Sequence, residues 1–268
     1  MDRLDLLRSV TELVLSAGKL LIAEWARQGG PRGHGDKAEV DAEIEAELRR
    51  GLLALLDCDF WGEETGSRLT DHKYCWVVDP NDGTSDFLLS RKGSAVSVGL
   101  LRNAIPILGV VYAPVTPALG PDCISWAEGL GGVIRNGQIR QARLDQLDLS
   151  PGSQVLVSTA AANKPELNAE LCAPAGFVPM PSIAYRLARV AAGDAVAGAS
   201  LVPVSAHDVV GAHALLIGAH GVLLDQDGLP ITYESEARMA RTSSRCFGGA
   251  VGACRELVRR DWGRLFPG

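Results

Sequence analysis

The chain has 268 residues, 47% of them apolar and 22% charged, a balance that excludes whole-chain disorder and suits two packed halves. Its 26 basic residues stand against 32 acidic ones, net −6, which argues against a protein that lives on contacts with a nucleic-acid backbone. The opening MDRLDLLRSVTELV mixes acids among its apolar residues and lacks the unbroken apolar core of a secretory signal. The longest uncharged run, Asn103 to Pro121, holds four prolines, and the next, Val209 to Leu224, is too short and too polar to span a membrane. Six cysteines without a CxxC pair read as reduced thiols of a cytoplasmic protein.

Residues 4–25 place Leu7, Val10, Val14, Ala17, Leu21 and Trp25 at helical spacing, so an amphipathic helix opens the protein. The stretch GGPRGHGDK at 29–37 breaks that pattern and predicts a mobile loop. A second helix follows with Val40, Ile44, Leu48, Leu52 and Leu55 on one face and Asp41 and Glu45 on the polar side. Strands are predicted at 74–78, 94–101 and 105–112, with Arg102-Asn103 as the hairpin turn between the last two. Past a polar boundary near 140–152, a strand at 153–159, helices at 165–172 and 182–192, an apolar strand at 195–202, a helix at 208–218 and a strand at 221–224 alternate. That alternation predicts an α/β layer arrangement. The last stretch, from Met239 to Trp262, reads as a loop or strand followed by a closing helix.

The sharpest feature is Asp79-Pro80-Asn81-Asp82-Gly83-Thr84, directly after the strand YCWVV. Open α/β architectures place ligands beyond strand ends, and two aspartates three apart on a turn can face one pocket. Like charges that close repel unless a cation or proton lies between them, and oxygen-only ligands suit Mg²⁺ or Mn²⁺ rather than zinc. The Gly-Thr step adds backbone N–H groups for a phosphate and a hydroxyl for positioning water. Asp and Gly also serve plain turns. Gly62-Glu63-Glu64 equally suits a solvated loop, Asp41 a helix surface, and Asp208 the start of its helix.

In their order along the chain, Asp41, Gly62-Glu63-Glu64, the DPxDGT turn and His207-Asp208-Val209-Val210-Gly211-Ala212 together resemble the inositol monophosphatase family of metal-dependent, lithium-sensitive phosphatases. GVVYAP (109–114), GGVIRNG (131–137) and LARVAAG (187–193) are similar to family segments as well. The resemblance implies an α/β protein of the layered αβαβα sugar-phosphatase fold. Residues 1–145 would form an α+β subdomain with most metal ligands, and 146–268 an α/β subdomain contributing Asp208 and the substrate wall. It implies that Glu63, Asp79 and the Asn81 carbonyl hold one Mg²⁺, and that Asp79, Asp82 and Asp208 hold a second. Asp41, Thr84 and Glu63 are its catalytic set, with a loosely bound third ion beside them. Asp82, Gly83, Thr84, Ser182 and Asp208 would face the substrate, and Lys37 would assist from its loop.

The chain departs from the family where the substrate wall is expected. Glu39 stands where a Thr is usual, Leu201 replaces a carboxylate that contacts hydroxyls, His207 replaces a Trp, and PSIAYR (181–186) replaces a small-residue stretch. The expected activity is hydrolysis of a small phosphate ester, an inositol or sugar phosphate, in a cytoplasmic homodimer without membrane or nucleic-acid partners. GVVYAPV and DQDGLPITY (225–233) are most similar to the branch acting on 3′-phosphoadenosine 5′-phosphate, and a non-catalytic metal- or phosphate-binding member is the alternative from another class. Arg186 and Arg189, one helical turn apart, either meet a second phosphate or are solvated helix charges. A zinc site from His207, His213 and His220 is disfavoured by their spacing, and cysteine catalysis by the apolar neighbours of the thiols.

Overall fold

In the computed structural model, residues 2–266 are described. Helix α1 (Arg3–Trp25) buries Leu7, Val10, Val14, Ala17 and Leu21, the stripe expected from their spacing. The segment expected as a loop closes into a small hairpin of β1 (Gly33–His34) and β2 (Lys37–Ala38), anchored where Arg32 donates to the buried Glu24 at 2.8 and 3.0 Å. Helix α2 (Glu39–Leu55) follows, then β3 (Asp59–Gly62), β4 (Ser67–Arg68), β5 (Tyr74–Asp82) and the short helix α3 (Thr84–Leu88). The meander β6 (Ala95–Arg102), β7 (Ile105–Ala113), β8 (Asp122–Ala127), β9 (Val133–Arg135) and β10 (Gln138–Arg140) completes an eight-stranded sheet. Its order is β10-β9-β8-β7-β6-β5-β3-β4, antiparallel except where β3 runs parallel to β5.

The turn between β6 and β7 falls one residue later than expected. Arg102 pairs with Ile105, so Asn103 and Ala104 form the turn, with φ of 49° and 63°. A two-residue hairpin loop needs left-handed backbone at both positions to match strand twist, and Asn accepts that more readily than Arg. Strands β3 and β8 to β10 went unpredicted because they are short and lack clean alternation.

The second sheet collects β11 (Gln154–Val157), β12 (Gly176–Pro179), β13 (Ala197–Ser200), β14 (Val222–Leu224) and β15 (Cys246–Gly249) in the order β12-β11-β13-β15-β14. Its helices are α4 (Pro165–Cys172), α5 (Ile183–Ala191), α6 (Ala206–Gly218), α7 (Glu236–Ala240) and α8 (Val251–Val258). Helices α1 and α2 cover one face of the first sheet, where Trp76, Val78, Val96 and Val98 point into their core. The alternate residues Cys75, Val77, Ala95 and Val111 face the opposite way, toward α5 and α6. Those two helices also pack on the second sheet, whose Phe247 meets Trp262 at 5.8 Å between ring centroids. The architecture is therefore the layered αβαβα sandwich.

Close approach of α6 to the first sheet rests on glycine. A Cβ on Gly109 of β7 would collide with the carbonyl oxygen of Gly211. With no side chain on either residue, α6 settles onto β6 and β7 and brings its N-terminus to the end of β5.

Candidate active site

The site begins with an irregularity in β5. Asp79 pairs with Ser97 and Asp82 with Ala95, so three steps along β5 match two along β6. In a regular strand, residues three apart point to opposite faces; one extra residue turns both aspartates to the same side. Gly83 follows with φ of +93°, and a Cβ there would lie 3.0 Å from the Ser182 nitrogen. Glycine thus serves twice, for the left-handed turn into α3 and for the approach of the loop before α5.

Three acids sit at three helix N-termini. Asp41 is the third residue of α2, and its Oδ2 accepts from the Ala38 N–H at 3.1 Å. Asp208 is the third residue of α6, and one of its carboxylate oxygens accepts from the Ser205 N–H. Asp82 is held by the start of α5, accepting from the Ser182 hydroxyl and the Ala184 N–H, each at 2.5 Å. Unpaired N–H groups and the helix dipole favour negative charge at such ends, which lets acids gather here. One oxygen of Asp208 caps its helix, so the capping reading and the site reading of that residue are both true.

Carboxylate oxygens of Asp79, Asp82 and Asp208 all lie within 4.8 Å of one another. With Glu63, Asn81, Gly83 and Thr84 they line a cleft of about 180 Å³. Asp79 and Asp82 are buried, at 1% and 8% exposure. Desolvation, then the charges of Glu63, Asp82 and Asp208, push the Asp79 carboxyl far above the usual carboxylate range. Burial and the Asp208 charge push Asp82 up to about 6, against the bonds from Ser182 and Ala184. Burial likewise lifts Asp208 to about 6, and burial together with the Asp208 charge raises Glu63, an exposed residue whose carboxyl faces the cleft. The charge of Arg186 opposes the shifts of Asp82 and Asp208, and its guanidinium donates to the carbonyls of Ala199 and Ser182. A crowd of oxygen donors so short of positive charge fits a hard divalent cation.

Asp41 stands behind this cleft. It is 1% exposed, and burial raises its carboxyl to about 6, with the bonds from Ala38 and Asn81 opposing. The Thr84 hydroxyl lies 2.7 Å from the Asn81 carbonyl oxygen and 3.3 Å from Asp41 Oδ2. The hydroxyl thus connects the buried acid to the cleft.

Several residues take places that their spacing did not announce. Ser182 is 4% exposed, and its hydroxyl both holds Asp82 and accepts from the Tyr185 N–H, so it stands behind the cleft wall. Lys37 does not line the cleft; its neighbour Asp36, at the hairpin tip, does, together with Asp86. Arg186 is neither a solvated charge nor a phosphate contact in the cleft but a buried group at 5% exposure, and Arg189 pairs with Asp194 at 2.7 Å. Glu45, expected on the polar side of α2 with Asp41, lies inside instead. It is fully buried and accepts from the N–H groups of Glu64 and Thr65, which holds the loop that carries Glu63. Among the described residues no histidine joins a metal-capable cluster, and all six cysteines are buried free thiols. His213 Nδ1 meets the Tyr233 hydroxyl at 2.9 Å, and burial lowers its pKa to about 4. No described helix is long and apolar enough to cross a membrane.

Comparison with known proteins agrees with this geometry. The model of the inositol monophosphatase family matches residues 5–258. The chain is 31% identical over 150 residues to an inositol-1-monophosphatase of Synechocystis sp., covering 54% of this chain and 51% of that protein. It is 29% identical over 162 residues to the 3'(2'),5'-bisphosphate nucleotidase CysQ of Salmonella typhimurium, covering 59% and 61%. The aligned stretches therefore span about half of these curated relatives' lengths. The solved inositol monophosphatase from Anabaena (Nostoc) sp. shares the fold, with a TM-score of 0.72 over 95% of this chain and 94% of that one at 24% identity.

Proposed function

The chain belongs to the inositol monophosphatase family, and from that membership we propose that it is a Mg²⁺-dependent phosphomonoesterase acting on a small phosphorylated metabolite, an inositol or sugar phosphate. The observation that carries the proposal is the convergence of Asp79, Asp82 and Asp208, an all-oxygen donor set drawn from both halves of the chain. Glu63, Asp79 and the Asn81 carbonyl would hold one ion, and Asp79, Asp82 and Asp208 a second, between subdomains 1–145 and 146–268. Such a pair supplies an acidified water and offsets charge on the entering and leaving oxygens of an in-line displacement. Glu39 pairs with Arg32 at 2.9 Å and does not line the cleft, so it offers no ligand to a third ion there.

The chain's own groups orient the reactants. Thr84, its hydroxyl within reach of Asp41, presents an oxygen that can accept a proton of the attacking water, and Asp41 holds the hydroxyl in that sense. Gly83 and Thr84 offer backbone N–H groups to the phosphate, and Asp82 and Asp208 bound the substrate's side of the cleft. Ser182 acts through Asp82. Six buried free thiols support a reducing, cytoplasmic setting, whereas the homodimer rests on family resemblance alone.

The test is phosphate release from inositol 1-phosphate, fructose 1,6-bisphosphate and 3′-phosphoadenosine 5′-phosphate, each with Mg²⁺ and with EDTA. Mg²⁺-dependent release from either of the first two is expected. The likeness to CysQ makes the nucleotide the second reading, and preference for it would replace the first. Mg²⁺ binding without release from any compound would leave a non-catalytic member of the fold.

A further inference from the structure

Asn81 enters the family comparison only through its carbonyl, yet its side chain is the more unusual group. The residue is fully buried at the β5 bulge, and its Nδ2 donates to Asp41 Oδ1 at 3.0 Å. The amide orientation follows from chemistry, since the reverse would press an oxygen lone pair against a carboxylate. Its Oδ1 is buried with no hydrogen-bond partner among the described residues. A buried acceptor without a donor lowers stability, so packing alone does not account for an Asn here. An aliphatic side chain would fill the same space without that penalty.

The same residue controls both acceptors open to Thr84. One is the Asn81 carbonyl oxygen at 2.7 Å; the other is Asp41 Oδ2 at 3.3 Å. The Ala38 N–H binds Oδ2 and the Asn81 amide binds Oδ1, so the carboxylate plane is fixed from both ends. Without the amide, only the Ala38 N–H would hold the carboxylate, at Oδ2, and its plane could turn about the last torsion away from the line to Thr84.

We propose that the Asn81 side chain is a positioning residue that aims Asp41 at the Thr84 hydroxyl, an assignment that rests on the phosphatase reading above. Its amide is turned to Asp41, and it acts through that acid. Stability is given up at Oδ1 for orientation of the acid at Nδ2.

Asn81→Leu keeps the branched shape and removes both polar atoms, and the smaller Asn81→Ser leaves a group too short to reach Asp41. Each is compared with wild type using the best substrate of the panel. Mg²⁺ affinity is read separately by calorimetry and folding by thermal melting. Turnover should fall by about 30-fold or more while KM and Mg²⁺ affinity stay within about twofold, the pattern of an interaction made in the transition state. In an Asp41→Asn background, adding Asn81→Leu should lower kcat by less than about twofold, because the effect runs through Asp41. Full additivity in that cycle would overturn the assignment, as would wild-type kcat in both variants, or a loss of kcat matched by losses of Mg²⁺ affinity and melting temperature. A wild-type protein without turnover would sink the phosphatase reading and this assignment together. Wild-type turnover that both variants retain would sink the assignment alone.

Discussion

Replacing Asp82 by Asn should separate stability from activity. Asp82 is 8% exposed and its carboxyl is pushed from 3.8 up to about 6, so its ionised form is disfavoured in the folded, metal-free protein. A folded pKa above the unfolded one contributes stability that is full below pH 3.8 and is lost as pH rises through about 6. At pH 7.5 the charge therefore destabilises the metal-free fold by about 3 kcal/mol. An amide of the same shape can still accept from Ser182 and Ala184 and carries no charge. In EDTA at pH 7.5, Asp82→Asn should melt about 6–12 °C above wild type. Wild type should also lose melting temperature between pH 5 and 7.5 without metal, and Mg²⁺ should restore it, while the variant should respond weakly to the ion and lack turnover. Melting curves at both pH values, with and without Mg²⁺, together with phosphate release, decide it. If the variant melts at or below wild type at pH 7.5 in EDTA, the crowded-carboxylate account of this site is wrong.

Asp208→Asn should leave the helix cap largely intact, since an amide oxygen can still accept from Ser205, yet lower kcat/KM by about 100-fold or more; steady-state kinetics at saturating Mg²⁺ would expose a wild-type rate. Gly109→Ala places a methyl against the Gly211 carbonyl, and should destabilise by about 1–3 kcal/mol while displacing the N-terminus of α6. Urea unfolding checks the first effect and Mg²⁺ affinity the second. Tyr185→Phe removes one donor from the fully buried Asp122, where the hydroxyl sits at 2.7 Å, and should cost about 1–3 kcal/mol in the same unfolding assay with turnover nearly unchanged.

Much of the candidate site was legible in the sequence because it is local. DPNDGT is contiguous, and its aspartates, glycine and threonine carry their meaning in the order they occur. Helices α1 and α2 followed from apolar periodicity, which is a property of residues three and four apart. The hold of Glu45 on the loop carrying Glu63, and of Ser182 on Asp82, was hidden for the opposite reason. Each acts on a loop or strand end far away in sequence, through hydrogen bonds that no spacing predicts. Arg186 misled because a basic residue on a helix is ordinarily solvated, whereas this helix is wrapped on all sides and its charge is held by two carbonyls.

Residue order and type thus specified the acids, the preference for a hard cation and the alternation of strands with helices, since these depend on side-chain chemistry and short-range backbone periodicity. Where those acids point depended on partners. Asp79 and Asp82 share a face only because β6 pairs with β5 one residue short. Asp208 reaches them only because Gly109 and Gly211 let α6 lie flat on the first sheet. Asn81 gains a use for its side chain only when α2 presents Asp41 to it. Each of these is set by contact between segments distant in the chain, and contact energy is not written in any single segment.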